Sequence, residues 1–247
     1  MGLLQSFEQQ GNILFKYRGQ LPIFFFLLAI PFSYLTNYSF YSDKQQNIFI
    51  ILGIFLSILG FLFRFYTIAT TPKGTSGRNT KKQIANTLNS SGIYSILRHP
   101  LYFGNYLIWL GISLTTFNLY FVIIVSLLFW VYYERIMFAE EQFLKRKFGK
   151  DYINWSNSVP AFFPAFLKYK ESTIPFSIIS ILRREYSSVF SAVIGFTYIE
   201  ILRNYIQNGI YEISQLTFQI LISIILIVIV LKILKHYTQI LNEDDRS

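Results

Sequence analysis

The sequence predicts an all-α protein, a polytopic membrane helical bundle with about six transmembrane helices. Three observations carry that prediction. Hydrophobic residues fill 53% of the 247 positions and charged residues only 14%, a balance too apolar for a typical soluble domain. Apolar runs of spanning length recur along the chain. Lys and Arg outnumber Asp and Glu by 22 to 13, and they gather between alternate runs, the pattern that orients a chain in a membrane.

Met1 to Gln20 is polar and mildly basic, with Lys16 and Arg18 at the membrane edge, and reads as a solvated lead-in. It shows no short apolar stretch followed by a small-residue cleavage site, so the first apolar segment is expected to be retained. That segment runs from Leu21 to Tyr41, and Pro31 can kink it by removing a backbone donor. The second span, Asn47 to Ala69, carries Arg64 in its last two turns. A cation at that depth must snorkel or meet an anion, which makes Arg64 a candidate for catalysis and for substrate binding.

Thr70 to Arg98 is the most polar long stretch, holding Lys73, Arg78, Lys81, Lys82 and Arg98 without an acid. Gly74 and Gly77 give it an adaptable backbone suited to an anion, so Lys73, Arg78, Lys81 and Lys82 are expected to meet an acidic substrate. The spacing is not that of a Walker loop. Leu101 to Phe117 and Leu119 to Phe138 flank Asn118 and predict an antiparallel helical hairpin. Beyond it, a helix with one apolar side suited to lying along the membrane continues to Phe148, and Gly149 is placed to end it. Asp151 to Glu171 is aromatic, proline-bearing and interfacial; its Tyr152 and Trp155 are further substrate-binding candidates. The fifth and sixth spans are Tyr186 to Ile206 and Leu216 to His236, and Glu200 is expected to pair with Arg203 on one helix face.

Six spans place both termini and the 70–98 and 134–185 segments on one side, together with most Lys and Arg, and that side is expected to be cytoplasmic. Residues 1–170 form a core of four spans with functional loops at 70–100 and 134–160, and 171–247 form a two-helix extension. Cysteine is absent, which excludes disulfides, thiolate catalysis and Cys-type zinc sites. The net charge of +9 comes without a nucleic-acid motif, so it points to anionic headgroups rather than to nucleic acid.

Residues 91–104 and 134–155 lie at the two ends of the hairpin on the same interface. Together they supply Arg98, His99, Pro100, Tyr102, Gly104, Glu140, Glu141 and Tyr152. Pro100 suits the first turn of a helix, whose unpaired amides can receive a carboxylate or phosphate. A ligand with one acidic and one cationic end would satisfy both halves, the acid near Pro100 and the cation near the glutamates.

The run Gly92-Ile93-Tyr94-Ser95-Ile96-Leu97-Arg98-His99-Pro100-Leu101-Tyr102-Phe103-Gly104, with Gly111 seven residues on, resembles the signature of the isoprenylcysteine carboxyl methyltransferase and phospholipid methyltransferase superfamily. The run Glu140-Glu141-Gln142-Phe143-Leu144-Lys145-Arg146-Lys147-Phe148-Gly149-Lys150-Asp151-Tyr152 resembles its paired-glutamate motif. The resemblance covers roughly residues 50 to 160 and implies S-adenosylmethionine as cofactor at a cytoplasm-facing site. It implies that Arg98, His99, Pro100, Tyr102 and Gly104 line the cofactor and that Glu140 and Glu141 orient its cationic portion. Methyl transfer in line from a sulfonium requires no metal, and Arg64, Arg98 and His99 are the catalytic candidates.

The acceptor is expected to be a lipid or lipidated molecule arriving from the bilayer. Arg64 and the basic loop favour O-methylation of an anionic headgroup, with a phosphate of a lipid A-like molecule in the inner membrane of a bacterium as the leading reading. Phospholipid amine N-methylation and prenylcysteine carboxyl methylation are the alternatives within the superfamily. A non-catalytic anionic-lipid binding or transport protein is the alternative outside it, but a passive anion clamp gains nothing from two acids beside its cations.

Overall fold

The computed structural model describes residues 2–72, 74, 83–243 and 246, and their regular structure is almost entirely helical. The centre of the bundle is decided by small residues. Gly53, Ser57 and Gly60 share one face of α4 (Asp43–Ala69), and Gly104, Ile108 and Gly111 share one face of α5 (Pro100–Leu114). A Cβ on Gly53 or on Gly111 would collide with the other's carbonyl oxygen, and one on Gly60 would stand 2.5 Å from that of Gly104. Ser57 Oγ donates to the Ile108 carbonyl at 3.2 Å. Helices in lipid are not driven together by the hydrophobic effect, so backbone contact through small residues is what joins this pair.

The N-terminal stretch is not a solvated lead-in. It forms α1 (Leu3–Lys16), which packs on α6 (Leu119–Phe148). Gly11 abuts the Arg135 carbonyl, Tyr132 Oη donates to the Leu14 carbonyl at 3.0 Å, and Arg146 meets Glu8 at 2.5 Å.

The first apolar run is broken into α2 (Leu21–Leu27) and α3 (Ala29–Tyr34). The break falls one turn before Pro31, where the ring crowds the carbonyl four residues back and no N–H is available to it. Neither this run nor α5 reaches spanning length. Four described helices are long and apolar enough to cross a membrane: α4, α6, α8 (Ile178–Asn208) and α9 (Gln215–Tyr237). The expected six spans are therefore four long helices and two shorter apolar pieces.

The part of α6 expected to lie along the membrane instead continues it without a break. Thirty residues at 1.5 Å each make about 45 Å, against about 30 Å of hydrocarbon, so one end of α6 must project. Its charged end, with Glu140, Glu141, Lys145, Arg146 and Lys147, is the part that projects, up to the stop at Gly149 with φ 52°. A short α7 (Lys150–Ser158) follows.

α8 starts well ahead of the expected Tyr186, capped by Ser177, whose hydroxyl accepts from the Ser180 amide at 3.0 Å. It packs on α3, α4 and α5, while α9 packs on α8 and keeps most of its apolar surface outward. Glu200 and Arg203 do not pair. Glu200 accepts from the Ser214 amide at 2.7 Å and from Thr217 Oγ1 at 2.5 Å, securing the start of α9. Arg203 donates to the Thr115 carbonyl at 3.3 Å and lies 4.8 Å over the Phe117 ring.

Candidate functional site

The loop before α5 is held by backbone from the segment after α7. Gly92, at φ 57°, donates to the Lys170 carbonyl at 2.9 Å, and the Lys170 amide donates to Ser95 Oγ at 2.8 Å. Ala165 N donates to the Ile96 carbonyl and Arg98 N to the Pro160 carbonyl, both at 2.9 Å. Trp155 Nε1 donates to the Tyr94 carbonyl at 3.0 Å. A loop bonded at five points presents its side chains in one arrangement.

Those side chains meet the charged end of α6. Arg98 Nη1 lies 3.1 Å from Glu141 Oε2, and His99 Nε2 lies 2.8 Å from Glu141 Oε1. His99 Nδ1 stands 3.7 Å from Glu140 Oε2, and Tyr102 Oη donates to Glu140 Oε1 at 2.8 Å. His99 and Tyr102 stack at 5.9 Å above a core that includes Phe129, Tyr133 and Ile136. Both ring nitrogens of His99 thus face carboxylates, which makes it an orienting group for the pair. Arg98 Nε is buried without a hydrogen-bond partner among the described residues. Tyr152 Oη is buried without a hydrogen-bond partner among the described residues; burial, then the Glu141 charge, raises its pKa above the ordinary tyrosine value.

A cavity of about 980 Å³ opens from this junction. Arg98, His99, Tyr102 and Glu140 line it together with Arg64, Arg184 and Ser188, and Ile108, Trp109 and Ile112 contribute apolar wall. Glu141 faces a smaller cavity of about 260 Å³ with Arg98, Lys145 and Tyr152.

Arg64 lines the large cavity, but as half of an ion pair. Its Nε and Nη2 each donate to a Glu185 oxygen at 2.7 Å, Nη2 also reaches Ser188 Oγ at 3.2 Å, and Nη1 donates to Asn105 Oδ1. The two side chains are 12% and 4% exposed. A bidentate arginine–carboxylate pair neutralises its own charge, so the anion expected at Arg64 is Glu185.

Gly104 is also placed differently from the expectation of close approach to a cofactor. Its Cβ position lies 2.7 Å from Arg64 Cγ and 2.7 Å from the Gly60 carbonyl, so its smallness serves the α4–α5 contact. Pro100 occupies the first turn of α5 and borders the cavity. Tyr152 and Trp155, expected at the substrate, stand by the Arg98–Glu141 pair and beneath Tyr94, with Trp155 also on the large cavity. Lys73, Arg78, Lys81 and Lys82 lie outside the described residues.

Arg18, Tyr94, Arg184, Glu185 and Ser188 also border the cavity and escaped the sequence reading. One signal was available. An arginine near the end of a span needs an acid at matching depth, and Glu185 stands at the head of the fifth apolar run.

The family model described as phospholipid methyltransferase matches residues 48–151, which include both halves of the junction. The chain is 30% identical over 141 residues to protein-S-isoprenylcysteine O-methyltransferase B of Arabidopsis thaliana, covering 56% of this chain and 71% of the plant protein. It is 36% identical over 106 residues to a cobalt-zinc-cadmium resistance protein of Cupriavidus metallidurans, covering 42% and 49%. It is 33% identical over 112 residues to protein-S-isoprenylcysteine O-methyltransferase of Saccharomyces cerevisiae, covering 44% and 46%. The matches thus span about half the length of the bacterial and yeast relatives. No solved structure matches the chain.

Proposed function

The chain belongs to the phospholipid and isoprenylcysteine methyltransferase family of integral membrane enzymes, whose cofactor is S-adenosylmethionine, and we propose that it O-methylates a carboxylate on a lipidated acceptor taken from the bilayer. The observation that carries this reading is the single cavity joining the Arg98–Glu140 junction to an apolar wall and to the cationic head of α8.

The residues of the junction fit the cofactor. A buried Arg98 Nε lacks a partner among the described residues, and Glu140 keeps acceptor capacity beyond its bond from Tyr102. Arg98 and the first amides of α5 would hold the cofactor's carboxylate, and Glu140 its cationic portion. Bound there, S-adenosylmethionine supplies a methyl group on a positively charged sulfur, which passes to a nucleophile while the C–S bonding electrons remain on sulfur. Glu141 fixes Arg98 and His99, and His99 and Tyr102 fix Glu140, so the arrangement needs little rearrangement on binding. The aromatic core beneath excludes water from that side.

A carboxylate acceptor suits this site because it has no proton to lose on methylation. An amine would need a base, and the histidine at the junction has both nitrogens turned to glutamates. The lipid A-like phosphate takes second place. Its support was the 70–98 loop and Arg64; the lysines and Arg78 of that loop lie outside the described residues, and Arg64 is neutralised by Glu185. The relatives named as isoprenylcysteine O-methyltransferases favour the carboxylate. The excess of Lys and Arg supports a cytoplasmic position for the side that holds the junction.

The test is methyl transfer by the detergent-purified protein from S-adenosylmethionine carrying a tritiated methyl group. Acceptors are N-acetyl-S-farnesylcysteine, phosphatidylethanolamine and lipid A. Base-labile label on the prenylcysteine is the expected result. Label only on the phospholipid amine or the lipid A phosphate would overturn the carboxylate reading, and failure to bind S-adenosylmethionine in calorimetry would overturn the cofactor site.

A further inference from the structure

Between α7 and α8, the stretch Val159-Pro160-Ala161-Phe162-Phe163-Pro164-Ala165-Phe166-Leu167 carries no charge. Connecting segments are ordinarily marked by Gly, Ser, Asn and Asp, and this one has none of them. Its composition is that of a membrane segment, yet it is far too short to span.

Phe162 is buried and shows how far the stretch reaches. Its ring stands 5.2 Å from Trp130 of α6, and 5.6 Å from Phe103 and 5.9 Å from Tyr106 in the first two turns of α5. From Leu119 to Trp130, α6 rises about 16 Å. With the hairpin turn at the opposite surface, that places Trp130 inside a hydrocarbon layer of about 30 Å. Further on, the Phe166 ring lies 6.3 Å from Phe63 of α4, and Tyr169 Oη lies 2.5 Å from Tyr66 Oη. The stretch thus folds back against the ends of three helices.

Beside Phe162 the apolar side chains turn outward. Phe163 is 71% exposed, Phe166 66%, and Leu167 fully. Three such residues within five positions form a patch rather than scattered exposure. Trp130, in contact with Phe162, is itself 41% exposed on a spanning helix, and so are its neighbour Leu127 and, on α4, Leu62. The patch therefore continues surfaces that face lipid, which identifies its occupant as the bilayer rather than a soluble protein.

The backbone suits that place. Pro160 and Pro164 bring no N–H in need of a partner. The Ala165 amide donates to the Ile96 carbonyl, and the Lys168 and Tyr169 amides close a short turn on the Ala165 and Phe166 carbonyls. Lys168 and Lys170 follow, and basic residues at a membrane edge meet anionic headgroups.

We propose that residues 160–167 are a wedge seated in the bilayer at the boundary of headgroups and acyl chains, with Phe163, Phe166 and Leu167 in lipid, and that this seat steadies the loop before α5. Two of the bonds that fix that loop come from the wedge: Ala165 N to the Ile96 carbonyl and Arg98 N to the Pro160 carbonyl. Arg98 and His99, which meet Glu141, stand at those bonds. Losing the apolar seat loosens the loop that presents them. The inference holds whichever acceptor is methylated.

The experiment uses the full chain in nanodiscs of phosphatidylcholine and phosphatidylglycerol. Wild-type protein is irradiated beside a phosphatidylcholine carrying a diazirine on its acyl chain, and crosslinked peptides are mapped by mass spectrometry. Crosslinks on residues 160–167 are expected alongside those on α4 and α6, with none on α7. Because the chain has no cysteine, single sites can also be labelled. A bimane on Phe163→Cys or Leu167→Cys is expected to be quenched by acyl-chain nitroxide lipid as strongly as one on Leu127→Cys, and roughly threefold more than one on Asn157→Cys of α7. Hydrogen exchange reads the effect on the loop. The double variant Phe163→Ser, Leu167→Ser is expected to speed amide exchange over residues 96–99 roughly tenfold while leaving that of α8 unchanged. Wild-type protein without crosslinks on 160–167, or labels at 163 and 167 that quench no more than the one at 157, overturns the membrane seat. Unchanged exchange over 96–99 in the double variant overturns its hold on the loop.

Discussion

Two acidic positions stand at the cavities of the site, Glu140 and Glu185 on the large one and Glu141 on the small one beside it, and they are built in opposite ways. Glu140 and Glu141, at the projecting end of α6, have side chains 25% and 23% exposed and hold their partners through single contacts of 2.8 to 3.7 Å. Glu185, on α8, is 4% exposed and gives both oxygens to one guanidinium at 2.7 Å. The first arrangement retains unused lone pairs and a buried arginine nitrogen without a partner among the described residues. The second is closed, since its charges are satisfied by each other and by Asn105 and Ser188. Acid beside base is thus no indicator of a ligand site: what separates the two is whether hydrogen-bonding capacity is left over.

The largest effect that sharpens this contrast is on the closed pair. Glu185→Ala leaves a buried cation unpaired and is expected to destabilise the protein by about 3–5 kcal/mol, read as a lower melting temperature in detergent. S-adenosylmethionine affinity of the folded fraction should not change. Replacing Arg64 by Met together with Glu185 by Leu should recover most of the stability. A single Glu185→Ala variant that melts like the wild type would make the two positions alike.

Glu141→Ala should show the reverse profile. Its main effect is expected on S-adenosylmethionine binding, weakened roughly 10- to 100-fold for the loss of about 1.5–3 kcal/mol in charge-assisted hydrogen bonds, with a smaller change in melting. Calorimetry beside a melting curve separates the two. A melting loss as large as that of Glu185→Ala, with cofactor affinity intact, would exchange their roles.

Gly104→Ala tests whether the glycine of the motif serves packing or ligand approach. Overpacking against Arg64 and the Gly60 carbonyl is expected to cost about 1–3 kcal/mol of stability without a selective loss of cofactor affinity. The opposite result would return Gly104 to the cofactor. The smallest effect is expected of Trp155→Phe, which removes one hydrogen bond to the Tyr94 carbonyl, about 0.5–1.5 kcal/mol. Faster amide exchange over residues 91–99, with stability elsewhere unchanged, is the signature to measure.

Much of the junction was legible because its two halves are short contiguous runs at the ends of one hairpin. Arg98, His99 and Tyr102 could be placed against Glu140 and Glu141 by assuming only that α5 and α6 are antiparallel neighbours, and the structure has them in contact. The first apolar run was misread because its composition satisfies a span, while the ring of Pro31 divides the helix at Leu28. The packing role of Gly104 against α4 was not legible because a glycine beside a motif and a glycine against a neighbouring helix look identical in sequence.

What the sequence by itself determined is the membrane class, the position of most long helices, and the pairing of the two motif halves. All of these follow from local hydrophobicity, charge and spacing. Only the tertiary structure decided which ligand-like groups are already satisfied: the partner of Arg64 is 121 residues away, on a helix whose start the apolar pattern did not mark. The same holds for the cavity shared between the motif and α8. Its walls come from segments far apart in the chain, and the placement of those segments rests on contacts such as Gly53 against Gly111 that no single stretch of sequence encodes.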